Sequence, residues 1–180
     1  AIVGAVIAAA IELGPPATLS SIAARAGVGA ASLHRYFPTT AAIFAEVSRQ
    51  TYRTLLAQVR ALLARTDIAP RDMVHEVCRL ALQGPGLTYE HRRRLNLEIP
   101  LAWSIDAVEP IYAEIIGELA GWASSRLPTP PEDLHARLFV AFGAVRGVVL
   151  MGLLFPSMAP SQDEALAIVT QPIWEILTAR

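Results

Sequence analysis

The sequence has no lysine, one cysteine and almost no excess of charge. Each shortage excludes something. Cys78 stands alone and cannot close an intramolecular disulfide, so no cystine framework holds the chain, which suits a reducing cytoplasm. Charged residues make up 17% of the 180 and the net charge is −1, which removes whole-protein basicity as a route to nucleic acid. All the basic residues are arginine, a pattern that coding bias explains better than function does. No run of alternating polarity marks a strand, and no internal repeat occurs. No nucleophile elbow, phosphate loop or zinc-hydrolase spacing is present, so no catalytic residue, metal or cofactor is expected. Only an acid/base pair assembled in three dimensions, from carboxylates such as Glu98, Asp106 and Glu109, stays open. The apolar start from Ala1 to Ile11 lacks the charged n-region and cleavage site of a signal peptide.

What the sequence does contain is apolar and helical. At 53% hydrophobic residues it is far from a disordered composition, and its length allows a well-buried core. The most informative stretch runs from Thr18 to Phe44. Thr18 and Ser20 offer N-cap oxygens, and Leu19, Ile22, Ala23 and Ala26 repeat at helical spacing. Gly27 follows where a helix ends in the left-handed conformation that glycine adopts without strain. Ala23 is small enough for a second helix to cross closely. That helix, about Gly29 to Phe37, turns Leu33 and Phe37 inward and leaves Ser32, His34, Arg35 and Tyr36 outward. Pro38 stops it, and Thr39 can cap the next. Two short helices around a glycine turn form the unit that places a helix in a DNA major groove.

The rest continues in helices. One long helix is expected over 41–65, another from Pro70 to the Gly84-Pro85-Gly86 break, and a charged one from Tyr89 to Ile99, closed by Pro100. Asp106 to Leu127 follows. Pro128-Thr129-Pro130-Pro131-Glu132 reads as a helix start with Thr129 as cap, and Ser161 to Glu164 as a capping box. In the last helix Leu166, Val169, Ile173 and Ile176 form a packing seam, with a kink expected at Pro172. The chain is therefore expected to be all-α, with about nine helices.

The residues Ile22-Ala23, Ala26-Gly27-Val28, Ser32-Leu33, Tyr36-Phe37 and Ala42-Ile43-Phe44, with the apolar helix Ile2–Leu13 before them, resemble the TetR family of one-component transcriptional regulators. The likeness is motif-level over about the first 50 residues and architectural beyond. It implies a three-helix helix-turn-helix domain over 1–46 and a larger ligand-binding and dimerisation domain over 47–180. It also implies double-stranded operator DNA as a partner, a small-molecule effector, and a homodimer built from the two C-terminal helices. One departure stands out: family members usually carry a basic residue near Thr39 or Thr40 and none is there; the sequence starts inside the first helix, ahead of which the family's basic arm would lie. Residues 1–50 hold Arg25, Arg35 and Arg49 against Glu12 and Glu46, a net +1 that leaves −2 for the remainder.

The candidate DNA contacts are Thr18, Ser32, His34, Arg35, Tyr36, Thr39 and Thr40. Arginine forks onto guanine in the major groove, while serine, tyrosine and histidine suit phosphates or base edges. In the resembled family the position of Tyr36 usually meets phosphate. The bland alternatives are a solvated face and simple capping, and capping is compatible with phosphate contact. Met73, Arg94, Trp103, Tyr112, Trp122 and Phe142 are the candidate ligand-binding residues, because the family encloses an apolar pocket in this region. An aromatic stripe is otherwise ordinary core. Arg92-Arg93-Arg94 is expected to be largely solvated, with Arg94 nearest the apolar side. His75-x-x-Cys78 with His91 supplies at most three ligands and is not read as a metal site.

Leu138 to Phe155 runs eighteen residues with Arg146 as its one charge. Arginine near a bilayer centre costs roughly 2.5–3.5 kcal/mol, so the segment is read as a helix surrounded by protein, not a membrane span. One monomer cannot bury both this helix and the last, which favours a dimer in which Gly143 and Gly147 allow close approach. The whole reads as a DNA-binding regulator, a repressor released by a small hydrophobic ligand, acting in the cytoplasm. The rival reading is a helical small-molecule-binding or catalytic domain without DNA binding.

Overall fold

The computed structural model describes residues 2–127 and 129–179, and among them the chain is all-helical. The helices are α1 (Ile2–Leu13), α2 (Leu19–Ala26), α3 (Ala30–Tyr36), α4 (Thr40–Leu63), α5 (Pro70–Gln83), α6 (Tyr89–Arg93), α7 (Leu101–Arg126), α8 (Leu134–Leu154) and α9 (Gln162–Thr178). A π-helical stretch, Arg94–Glu98, continues α6 directly.

Two helix starts differ from the sequence reading. α7 begins at Leu101, not near Asp106, and carries Pro110 inside it. Pro100 therefore closes one helix and opens the next, its carbonyl accepting from the Trp103 N–H at 2.9 Å. α8 starts at Leu134, so Thr129 does not cap it; Pro128 lies outside the described residues. Asp133 holds the N-cap position without capping, because its carboxylate accepts from Arg137 Nε at 2.6 Å instead. The box at α9 forms: Ser161 Oγ accepts from the Glu164 amide, and the Glu164 carboxylate accepts from the Ser161 amide at 2.8 Å.

The chain divides into two compact units, and the division departs from the 46/47 boundary. The first unit runs to Arg53 and also takes Leu87–Ile111; the second comprises Thr54–Gly86 and everything from Tyr112. α4 and α7 each contribute to both. The reason for the departure is packing. The core of the first unit is built from α1 to α4 (Val6, Ala10, Ile22, Leu33, Phe37, Ile43, Phe44, Val47), and Leu95, Ile99 and Trp103 pack onto it. Trp103 meets Phe44 with ring centroids 6.2 Å apart. Arg94 donates from Nη1 to the Ile11 carbonyl at 2.8 Å and to that of Glu12, satisfying acceptors at the end of α1 that the helix leaves without partners.

In the second unit α5, α8 and α9 pack together. The seam expected on α9 points inward, with Leu166 and Ile173 buried. On α8 the buried residues Leu134, Leu138, Ala141, Val145 and Leu153 follow a three–four spacing and mark one face. Its own chain therefore covers only one side of this helix. Its other face carries Phe139, 70% exposed, with Val140, Met151 and Leu154 also exposed. By length and composition α8 is apolar enough to cross a membrane. Here it is a bundle helix whose mid-point Arg146 donates to the Tyr112 hydroxyl at 2.6 Å.

Candidate nucleic-acid interface and ligand cavity

The α2–turn–α3 unit is set by local chemistry. Thr18 caps α2: its Oγ1 accepts from the Ser21 amide at 3.1 Å, while its own amide donates to Ser21 Oγ at 3.0 Å. Ser21, not Ser20, completes the box. Gly27 adopts φ 67° and ψ 31°, and the Val28 amide reaches back to the Ala23 carbonyl at 3.0 Å, closing a Schellman turn. Ile22, Ala23, Leu33 and Phe37 are buried, so α3 is held from beneath by apolar contact.

What this leaves outside is one polar surface. Ser32, His34, Arg35 and Tyr36 are exposed on α3, as are Thr18 and Thr39 at the helix starts, while Thr40 is half-buried. The Arg35 guanidinium lies 5.3 Å from the Tyr36 ring centroid and within 3.4 Å of its hydroxyl. Thr39 Oγ1 accepts from the Ala42 amide at 3.1 Å, the cap expected for α4. Two other arginines nearby in sequence are tied to acids: Arg25 to Glu12 at 2.5 Å, and Arg49 to Glu46.

The second unit encloses an apolar cavity of about 60 Å³. Its wall comes from α4, α5, α7, α8 and α9, and includes Leu55, Cys78, Ile115, Trp122, Phe142 and Ile173. No lining residue is charged. Burial pushes the Cys78 thiol up to about 11, so it stays protonated and behaves as a small hydrophobe. Trp122 Nε1 and Gln58 Oε1 are buried without a hydrogen-bond partner, and of the two residues only Trp122 lines the cavity.

The six candidate ligand-binding residues separate. Trp122 and Phe142 line the cavity, and Tyr112 stands edge-on to Phe142, ring centroids 5.1 Å apart. Met73 is fully buried but is not among the lining residues. Arg94 and Trp103 belong to the first unit and are engaged there by α1 carbonyls and by Phe44. Their placement corrects the grouping: the segment holding both returns to the first unit, a fold-back with no signature in local sequence. His75 Nδ1 lies 3.4 Å from Thr170 Oγ1.

Residues 6–47 match the model of bacterial regulatory proteins of the tetR family. The matched stretch lies within the first unit and spans the α2–turn–α3 unit, the DNA-binding part of that family. Solved structures agree over nearly the whole length. A TetR-family transcriptional regulator from Mesorhizobium loti MAFF303099 superposes with a TM-score of 0.72 at 16% identity, covering 97% of this chain and 92% of that one. The multidrug binding protein EbrR, complexed with ethidium, gives 0.68 at 19% identity over 99% and 100%. The regulator FadR from Bacillus subtilis, in complex with stearoyl-CoA, gives 0.68 at 15% identity over 98% of both chains. No curated protein matches the sequence.

What sequence reasoning missed lies in the second unit. Cys78, Leu55 and Ile115 read as ordinary core positions, and their place in a cavity wall depends on five helices meeting. The Arg146–Tyr112 pair had one signal, a lone charge in an apolar run, which announces a partner without naming it.

Proposed function

We propose that the chain is a homodimeric transcriptional regulator that holds double-stranded operator DNA through α3 and releases it when a small hydrophobic effector enters the second unit, which is how a repressor works. The observation that carries this is the exposed row Ser32, His34, Arg35 and Tyr36 on a helix fixed by the Gly27 turn within a TetR-family domain. In this reading residues 1–46 touch DNA, with Thr18, Thr39 and Thr40 on phosphates, while the cavity and dimer face lie within 47–180. The protein acts in the cytoplasm, on the chromosome.

The dimer reading rests on α8. Phe139, Val140, Met151 and Leu154 present an apolar face to solvent, and a Cβ added at Gly143 or Gly147 would meet nothing within 4 Å. Two such faces stacked by a twofold axis give a closed interface, expected to cover more than about 1,200 Å². α9 adds Ile168, 66% exposed, on a face otherwise polar. Two recognition helices must then stand about 34–36 Å apart to enter successive major grooves. α4 is one helix from the DNA-binding unit to the cavity wall, so an effector that displaces it changes that spacing. Coupling of about 1–3 kcal/mol suffices for a 5–150-fold change in DNA affinity. The fold-level likeness to proteins solved with ethidium and with stearoyl-CoA supports an effector site.

Selection of binding sequences from a random duplex pool, followed by fluorescence anisotropy across a salt series, tests the reading. The expected result is one preferred site bound at least about 10³-fold tighter than random DNA, with affinity falling steeply as salt rises. Salt-dependent binding with no sequence preference, or none at all, favours the rival reading of a helical ligand-binding or catalytic domain.

A further inference from the structure

The cavity is too small for the role just given to it. At about 60 Å³ it lies well below the roughly 300–1,000 Å³ of sites that enclose a drug-sized molecule. A second, open space of about 650 Å³ lies between α4 and α7, bordered by Arg60, Leu63, Glu114, Gly117, Gly121 and Ser125. Trp122 lines both spaces. It therefore borders both the apolar chamber and the more open groove. Its indole N–H is buried and without a hydrogen-bond partner, which makes the closed position a costly one.

Three features of the groove suit passage. Gly117 and Gly121, one turn apart on α7, leave its floor bare, and a Cβ at either meets nothing within 4 Å. The charged side chains on its border engage one another, one arginine against two carboxylates: Arg60 donates from Nε to Glu118 at 2.7 Å and from Nη2 to Glu114 at 3.1 Å. Beyond Trp122 no lining residue is charged, so an ion driven into the chamber would lose its hydration with nothing to replace it.

We propose that the α4–α7 groove is the entrance to the cavity, that Trp122 is its door, and that the effector is a neutral, apolar molecule with a hydrogen-bond acceptor that pairs with the Trp122 indole N–H. This rests on the effector reading above and adds route and chemistry to it. Turning Trp122 aside joins chamber and groove into one space large enough for such a molecule, and the acceptor gives the N–H its missing partner.

Two fluorescent probes test the chemistry on the whole chain: prodan, which is neutral with one ketone, and 2-(dimethylamino)-6-propylnaphthalene, in which a methylene replaces the carbonyl. Wild type is expected to bind prodan about three- to tenfold tighter than its ketone-free analogue, the range a single hydrogen bond supplies. Trp122→Phe is expected to bind both probes with that preference gone. Gly121→Leu, which fills the groove at a helix position where leucine is favoured over glycine, is expected to slow prodan association and dissociation at least tenfold with little change in Kd. Equal binding of the two probes by wild type, or a preference that survives Trp122→Phe, overturns the anchor. Unchanged prodan kinetics in Gly121→Leu overturns the entrance, and no binding of either probe overturns both. None of these readouts uses DNA, so loss of the regulator reading is scored separately by the operator assay.

Discussion

At the scale of single residues, burial divides α3 into an apolar half that holds it in place and an exposed polar half. Arg35 is the side chain able to fork onto a base, and Tyr36, 47% exposed, carries a hydroxyl suited to phosphate. Arg35→Ala is expected to remove about 1–3 kcal/mol of discrimination at one base step. Tyr36→Phe is expected to weaken binding to all sequences alike, and anisotropy on the preferred site and on single-base variants separates the two effects. A second residue-scale prediction concerns Cys78. Its thiol is pushed up to about 11 by burial, so folding holds it protonated at pH 8, where a free cysteine is partly thiolate. Alkylation by iodoacetamide at pH 8 is expected to run more than about 100-fold slower than for free cysteine. It should accelerate as pH approaches 11 and recover the free rate in denaturant.

At the scale of helices, caps and turns do most of the shaping. Gly27 sits at φ 67°, where a β-branched side chain is strained, and Leu33 is almost wholly buried beneath α3. Leu33→Ala is expected to cost about 2–5 kcal/mol by leaving a cavity, and Gly27→Val to lower Tm through backbone strain, both read by thermal melting. Overlapping melts with wild type would mean that the helix-turn-helix is not formed. The capping box of α9 makes a pH prediction. Hydrogen bonds from the Ser161 hydroxyl and amide hold the Glu164 carboxyl below its ordinary value. A lowered folded value means that the contribution is complete above the unfolded pKa and fades as pH falls through the folded one. Glu164→Ala is therefore expected to lower Tm at pH 7 and to make little difference well below pH 4.

At the scale of the molecule, the unpartnered feature is the outer face of α8. Phe139, Val140, Met151 and Leu154 are exposed on it, and the Gly143 and Gly147 positions on the same helix are open. Gly147→Arg should leave the inner face of α8 untouched, since nothing lies within 4 Å of a Cβ there, while placing a charge against the partner. The expected result is a dimer weakened at least tenfold by sedimentation, with operator binding lost in parallel. A wild-type chain that sediments as a monomer at micromolar concentration while binding its operator would remove the dimer from the account.

The helix-turn-helix was legible in the sequence because everything that specifies it is local. The Thr18 cap, the Gly27 turn, Leu33 beneath and Pro38 after it act within one or two turns of themselves, so their spacing alone encodes α2, α3 and the exposed polar face of α3. The helical class followed from periodicity, and most helix ends from Gly, Pro and the capping residues. Where local signals competed, the sequence misled: α7 starts at Leu101, directly after Pro100, and not near Asp106, and Thr129 looked like a cap while Asp133 turned to Arg137. Long-range packing alone decided the rest. It brought Arg94 and Trp103 back to the first unit, turned the α9 seam inward, and set Trp122 between a chamber and a groove. Those outcomes depend on which helices meet across tens of residues, and apolar burial, being non-directional, leaves that choice unwritten in any one segment.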